Sequence, residues 1–113
     1  MSVTIYHNPR CSKSRATLEI VQGKTDDADI VEYLKTPPSE EELKSILGML
    51  GMKPAELLRK KEAKEAGVDP DGADDAALVA AMVANPAVIE RPIVVANGKA
   101  RIGRPPESVL EIL

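Results

Sequence analysis

The sequence predicts an α/β fold in which a four-stranded mixed sheet is flanked by helices, assembled as βαβ, a helical insertion and ββα. Three observations predict it. An apolar run at 3–6 leads through a helical pattern to a second β-rich run at 29–34. The middle of the chain carries helix starts and stops: Ser39 with Glu42 three residues on, Gly51, Asp74 and Asn85-Pro86. Near the end, Asn97-Gly98 separates Pro92-Ile-Val-Val-Ala96 from Lys99-Ala-Arg-Ile102, a strong local signal for a hairpin.

Taken in order, residues 3–6 are the first strand and 14–22 the helix after it, with Gly23 as its expected C-cap. Residues 25–28 are a polar connection, and Asp-Ile-Val-Glu-Tyr-Leu at 29–34 is the second strand. That order makes the two strands parallel, joined by a right-handed crossover. Thr36-Pro37-Pro38-Ser39 breaks the pattern; Leu43, Ile46, Leu47 and Leu50 then share one helical face that stops at Gly51. Pro54 opens a short helix carrying Leu57, Leu58 and Arg59. Residues 60–72 are highly charged and weakly patterned, and are expected to be mobile surface. An Asp-capped, alanine-rich helix spans 74–84. Strands at 92–96 and 99–102 flank the Asn97-Gly98 turn, whose type I′ form needs positive φ at both residues. A last helix at 105–113 is expected to lay Val109, Leu110 and Leu113 on the sheet. The whole of 1–113 reads as a single domain with a helical insertion at about 39–85.

Composition narrows the functions available. At 113 residues the chain can bury a modest core, which aliphatic side chains must fill, because Phe and Trp are absent and Tyr6 and Tyr33 are the only aromatics. A net charge of −3, with both signs interspersed and few stacking rings, argues against a nucleic-acid surface. One cysteine forms no internal disulfide, which fits a reducing cytoplasm. No charged-then-apolar leader and no apolar run near ~18 residues is present, so neither secretion nor membrane spanning is expected. A monomer without a bound cofactor or metal is the expectation.

Chemistry concentrates in Tyr6-His7-Asn8-Pro9-Arg10-Cys11-Ser12-Lys13-Ser14-Arg15, which holds the only histidine and the only cysteine. A strand that turns at Asn8-Pro9 and opens a helix near Ser12 sets the Cys11 sulfur beside backbone N–H groups that lack helical partners. An ordinary thiol is roughly 3 % ionised at neutral pH. A helix start with Arg10, Lys13 and Arg15 nearby favours the thiolate by about a hundredfold, ~2.7 kcal/mol. His7, four residues before the cysteine, either hydrogen-bonds the turn or tunes the thiolate; no proton transfer is assigned to it. Three arginines stand beside prolines or apolar pairs at element junctions: Arg59, Arg91 before Pro92, and Arg104 before Pro105. Their forked donors match tetrahedral oxyanions, but only a fold can bring them together.

These blocks resemble the glutaredoxin-coupled arsenate reductase family of the ArsC type, a thioredoxin-like fold with a helical insertion. The resemblance runs through His7-Asn8-Pro9-x-Cys11, Ser14-Arg15-x-Thr17-Leu18, Tyr33-Leu34 with Pro37-Pro38, Leu57-Leu58-Arg59-Lys60, Arg91-Pro92-Ile93-Val94-Val95 and Arg104-Pro105. It implies a catalytic Cys11, a histidine at His7 that influences it, and an oxyanion-binding trio Arg59, Arg91 and Arg104. It also implies a cis-proline at Pro92, with Asn8, Pro9, Ser14 and Arg15 shaping the site. The implied reaction is reduction of arsenate to arsenite, with glutathione as co-substrate and glutaredoxin as partner. Arg10, Ser12 and Lys13 depart from the family, which carries smaller, less charged residues there, and Gly103 stands where some members have another cysteine.

Two other readings share the fold: a binding or regulatory module of the Spx kind, and a monothiol reductase of glutathionylated proteins. Ser14 three residues after Cys11 excludes an internal disulfide switch, and the C-x₃-R spacing to Arg15 excludes the tyrosine-phosphatase-like arsenate reductases.

Overall fold

The computed structural model describes residues 3–113, so the first two residues of the domain expected over 1–113 lie outside it. It contains two compact units: residues 3–36 with 91–113, and Pro37–Glu90.

The first unit is built on β1 (Val3–His7), α1 (Ser12–Lys24), β2 (Ala28–Glu32), β3 (Ile93–Ala96) and β4 (Lys99–Ile102), closed by a 3₁₀ helix over Pro106–Ile112. The sheet order is β2-β1-β3-β4, with β1 parallel to β2 and antiparallel to β3, and β3 antiparallel to β4. This is the mixed α/β sheet with flanking helices that the βαβ and ββα patterns predict. Val3, Ile5 and His7 are the buried positions of β1, as period-two alternation requires. Val3 and Ile5 pack with Val21, Val94, Ala96, Val109 and Ile112 as an aliphatic core, so that His7 ends an apolar stripe and needs a polar partner. At the hairpin, Asn97 has φ 55° and Gly98 φ 72°, the two positive values a type I′ turn demands.

Several expected boundaries move. α1 starts at Ser12, its first bond running from the Arg15 N–H to the Cys11 carbonyl at 3.0 Å, and it continues through Gly23 to end at Thr25. β2 ends at Glu32, because the Lys35 and Thr36 N–H groups both turn back to the Glu32 carbonyl (2.9 and 3.0 Å). β3 begins at Ile93, leaving Pro92 outside the ladder, where its missing N–H does no harm. The terminal element is 3₁₀ rather than α, with a repeat of three residues. Its buried face is therefore Pro106, Val109 and Ile112, while Leu110, expected inside, is 44 % exposed.

The second unit contains α2 (Glu40–Leu50), a 3₁₀ turn (Pro54–Leu57), α3 (Lys60–Glu65), α4 (Asp75–Ala84) and a 3₁₀ turn (Pro86–Val88). Ser39 and Glu42 form the expected reciprocal capping box, and Gly51 ends α2 in the left-handed region at φ 67°. Asp74 caps α4 by accepting the Ala77 N–H at 2.8 Å. The expectation of mobile surface over 60–72 fails for its first half. Ala63 is buried, the Arg59 backbone N–H donates to the Val88 carbonyl at 2.7 Å, and the Arg59 side chain reaches Glu62, so one turn of α3 is pinned despite its charge.

Candidate active site

Parallel pairing of β1 with β2 and antiparallel pairing with β3 place three chain segments at one end of the sheet. They are the loop after β1, the residues after β2, and Arg91-Pro92 before β3. The β3–β4 register sets Ile93 opposite Ile102, so Gly103 and Arg104 arrive beside Pro92. The Gly103 N–H donates to the Pro92 carbonyl at 2.9 Å, and Arg104 Nε donates to the Arg91 carbonyl at 2.8 Å. Both Arg91-Pro92, as the resemblance implies, and Arg104-Pro105 are cis.

The loop itself is wound by its own polar groups. Asn8 Oδ1 accepts the Arg10 N–H at 3.0 Å, the Asn8 carbonyl accepts the Cys11 N–H at 3.0 Å, and Arg15 Nη1 donates to the Pro9 carbonyl at 2.9 Å. Ser14, fully buried one turn into α1, accepts the Asn8 N–H at 3.0 Å and lies 2.7 Å from His7 Nδ1. Its hydroxyl is thus the partner the buried imidazole needs, and it ties β1 to α1 across the loop.

Cys11 is half-buried at the N-cap of α1 with an extended backbone (φ −94°, ψ 123°). Arg104 Nη2 donates to its sulfur at 3.8 Å, a contact between residues 93 apart in the chain. Burial pushes the Cys11 thiol up. The Ser14 and Lys13 backbone N–H groups and the Arg104 and Arg91 guanidiniums pull it down more strongly, so it sits below the ordinary thiol value. The direction agrees with the sequence argument, but the source differs. Lys13 acts through its backbone rather than its charge, Arg15 is turned to Pro9, and the cationic help comes from the β3 and β4 ends.

Arg59 lies in the second unit at the N-cap of α3, its Nε 3.1 Å from Glu62 and its Nη1 3.9 Å from Glu90. The sequence assigns no role at the site to Glu32, or to Thr17 beyond its place in the family motif. Glu32 is the register partner of His7, and Thr17, fully buried, donates to the Lys13 carbonyl at 2.8 Å and packs on Gly103. A parallel register and a close approach leave no local mark in a sequence.

Burial holds the His7 pKa below its usual value; Glu32 pulls it up, Arg15 pushes it down and the Ser14 hydrogen bond raises it. A base with a lowered folded pKa stabilises the fold above its unfolded value of about 6.5, and that stability is lost as pH falls. As the only histidine, it gives one imidazole signal, whose NMR titration is expected to have its midpoint below that of a free histidine. A midpoint at or above that value contradicts the buried, neutral ring.

The family model described as "ArsC family" matches residues 6–112. YfgD of Escherichia coli K12, itself described as uncharacterized, is 54 % identical over 98 % of this chain and 96 % of its own. An arsenate reductase of Neisseria meningitidis is 46 % identical over 98 % of this chain and 97 % of its own. The solved structure of an arsenate reductase from Vibrio cholerae superposes with a TM-score of 0.93, at 51 % identity, over 100 % of this chain and 98 % of that one. A mixed sheet of thioredoxin-like topology, a cysteine at the turn into its first helix and sequence identity across nearly the whole length lead to one conclusion: the chain belongs to the ArsC family.

Proposed function

We propose that this protein reduces arsenate to arsenite, with Cys11 as nucleophile and with glutathione and glutaredoxin as the external reductants. One observation carries the reading: a thiol held below its ordinary pKa lies 3.8 Å from the guanidinium of Arg104, which is itself bonded to the Arg91 carbonyl. An ionised sulfur beside forked cationic donors suits attack on a tetrahedral oxyanion. The family relatives named arsenate reductase support the choice of arsenic.

In this mechanism the Cys11 thiolate attacks arsenic; an S–As bond forms, an As–O bond breaks, and the oxygen leaves as water after protonation from solvent. Arsenic is still As(V). A second thiolate then attacks the Cys11 sulfur. An S–S bond forms and the S–As bond breaks with its electron pair left on arsenic, which departs as arsenite. A further thiol clears the mixed disulfide and restores Cys11. Both reducing equivalents come from outside, because Cys11 is the chain's only cysteine. Arg91 and Arg104 hold the oxyanion and balance charge at the sulfur; Arg59 is expected, from the resemblance alone, to add a third guanidinium. His7 and Ser14, with Asn8, Pro9, Arg15 and Pro92, keep the loop in shape. A reducing cytoplasm is the matching compartment.

Purified protein with arsenate, glutathione and glutaredoxin is expected to release arsenite. No turnover, or faster turnover of a glutathionylated protein than of arsenate, overturns the reading. Arg104→Ala is expected to lower kcat/KM by about 10²–10³, the usual loss for one transition-state donor, and to move the pH midpoint of Cys11 alkylation upward. An unchanged midpoint refutes the coupling.

A further inference from the structure

We infer that the open edge of β2 docks an extended segment of a partner protein, one in which basic and apolar residues alternate. The inference lies apart from the Cys11 site and does not draw on the arsenate reading. β2 is the outer strand of the sheet order β2-β1-β3-β4, and among the described residues it pairs only with β1. An outer strand offers the N–H and C=O groups of its free side to any chain that can lie along it.

The side chains of β2 select the kind of chain. The parallel register sets Ala28, Ile30 and Glu32 on the face that carries Val3, Ile5 and His7, with Asp29 and Val31 on the other face. Ile5 is fully buried in the aliphatic core, whereas Ile30, one strand further out, is 46 % exposed. The apolar layer that β1 shares with Val21 of α1 thus runs to the rim of the sheet and ends on a half-covered isoleucine. An apolar residue of an added strand, set beside Ile30, continues that layer.

Charge selects the rest. Residues 26–32 hold four carboxylates, Asp26, Asp27, Asp29 and Glu32, and no cation, in a chain whose net charge is only −3. Asp29 is exposed on the face opposite Ile30, where it meets the side chain of a neighbouring strand directly. Carboxylates along an edge deter a second copy of the same strand, which brings four more, but they attract lysine and arginine. The segment that fits therefore sets an apolar residue against Ile30 and, one place along, a cation against Asp29. Because β1 separates β2 from β3, such a segment leaves the Arg91 and Arg104 side of the sheet uncovered.

The probe is a blocked peptide, Lys-Val-Lys-Val-Lys, with Glu-Val-Glu-Val-Glu as its charge-reversed counterpart. Added to ¹⁵N-labelled protein at low salt, the lysine peptide is expected to shift the amides of residues 28–32 and to slow their hydrogen exchange; the glutamate peptide is expected to do neither. Asp29→Lys is expected to weaken the lysine peptide about five-fold, the loss of one favourable cross-strand pair, and to gain binding of the glutamate peptide. Ile30→Thr keeps the strand but removes the apolar contact, and is expected to weaken the lysine peptide with no gain for the other. No shift at 28–32, equal shifts from both peptides, shifts confined to other residues, or an Asp29→Lys variant with the wild-type preference would each overturn the inference. A concentration-dependent dimer that Ile30→Thr dissociates would assign the edge to a second copy and overturn it as well.

Discussion

Cys11→Ser is expected to lower arsenate turnover by on the order of 10⁴ or more while leaving the fold intact. A serine hydroxyl does not ionise near neutral pH, and an oxygen at this position accepts no disulfide, so the electron pair has no route to arsenic. The same change should help α1. Cys11 is the N-cap of that helix and makes no side-chain capping bond, whereas serine is among the preferred N-caps and adds up to about 1 kcal/mol there. The gain depends on pH. A thiol whose folded pKa is depressed stabilises the wild-type fold above its unfolded value, and that stability is lost as pH falls through the folded value. The serine variant lacks this term. Its advantage over wild type should therefore be largest at about pH 5 and shrink toward about pH 9, as measured by denaturant unfolding of both proteins. Turnover close to wild type, or an advantage that grows with pH, would refute the account.

Gly103→Ala is the second large effect, and its target is the scaffold under the arginines. A Cβ on Gly103 would collide with Thr17 Oγ1 and would stand 2.8 Å from Pro92 Cγ and 3.0 Å from Thr17 Cγ2. Neither neighbour can step aside easily: Thr17 is fully buried and bonded to the Lys13 carbonyl, and the Pro92 ring is buried. Overpacking of this kind costs about 1–3 kcal/mol, and each kcal/mol lowers the melting temperature of a domain this size by roughly 4 °C. Because Gly103 bonds the Pro92 carbonyl and precedes Arg104, the displacement should also raise the alkylation midpoint of Cys11. Adding Thr17→Ala opens room at the collision, so the double variant should be more stable than the sum of the two single losses. A Gly103→Ala protein with wild-type melting temperature and alkylation profile would show that the contact yields freely. Glycine here also bears on the missing second thiol, since a cysteine at 103 would meet the same two walls.

How much of this was legible beforehand follows the range of the interactions involved. The capping box at Ser39 and Glu42, the left-handed stop at Gly51, the Asp74 cap and the positive φ pair at Asn97-Gly98 are each decided within about four residues, and each appears as the sequence predicts. The cysteine at a strand-to-helix turn is likewise a local feature, because the Asn8 and Ser14 side chains that wind the loop lie within it. Helix α3 was obscured because charge is a poor guide where one buried alanine and a backbone bond to Val88 hold the turn. The last element keeps Val109 inside but turns Leu110 outward, since a 3₁₀ repeat selects 106, 109 and 112 where the expected helix selects 109, 110 and 113.

From the sequence alone came the chemistry available to this protein: one thiol at a helix start, three arginines at element junctions, and the order βαβ, helices, ββα. Tertiary structure alone decided which of those groups act on one another. The antiparallel register of β3 beside β1 and of β4 beside β3 carries Arg91 and Arg104 to a sulfur some 80 to 93 residues away, and parallel pairing sets Glu32 beside His7. Strand pairing is a long-range choice made by burial of both strands' apolar faces at once, and no short stretch of chain contains it.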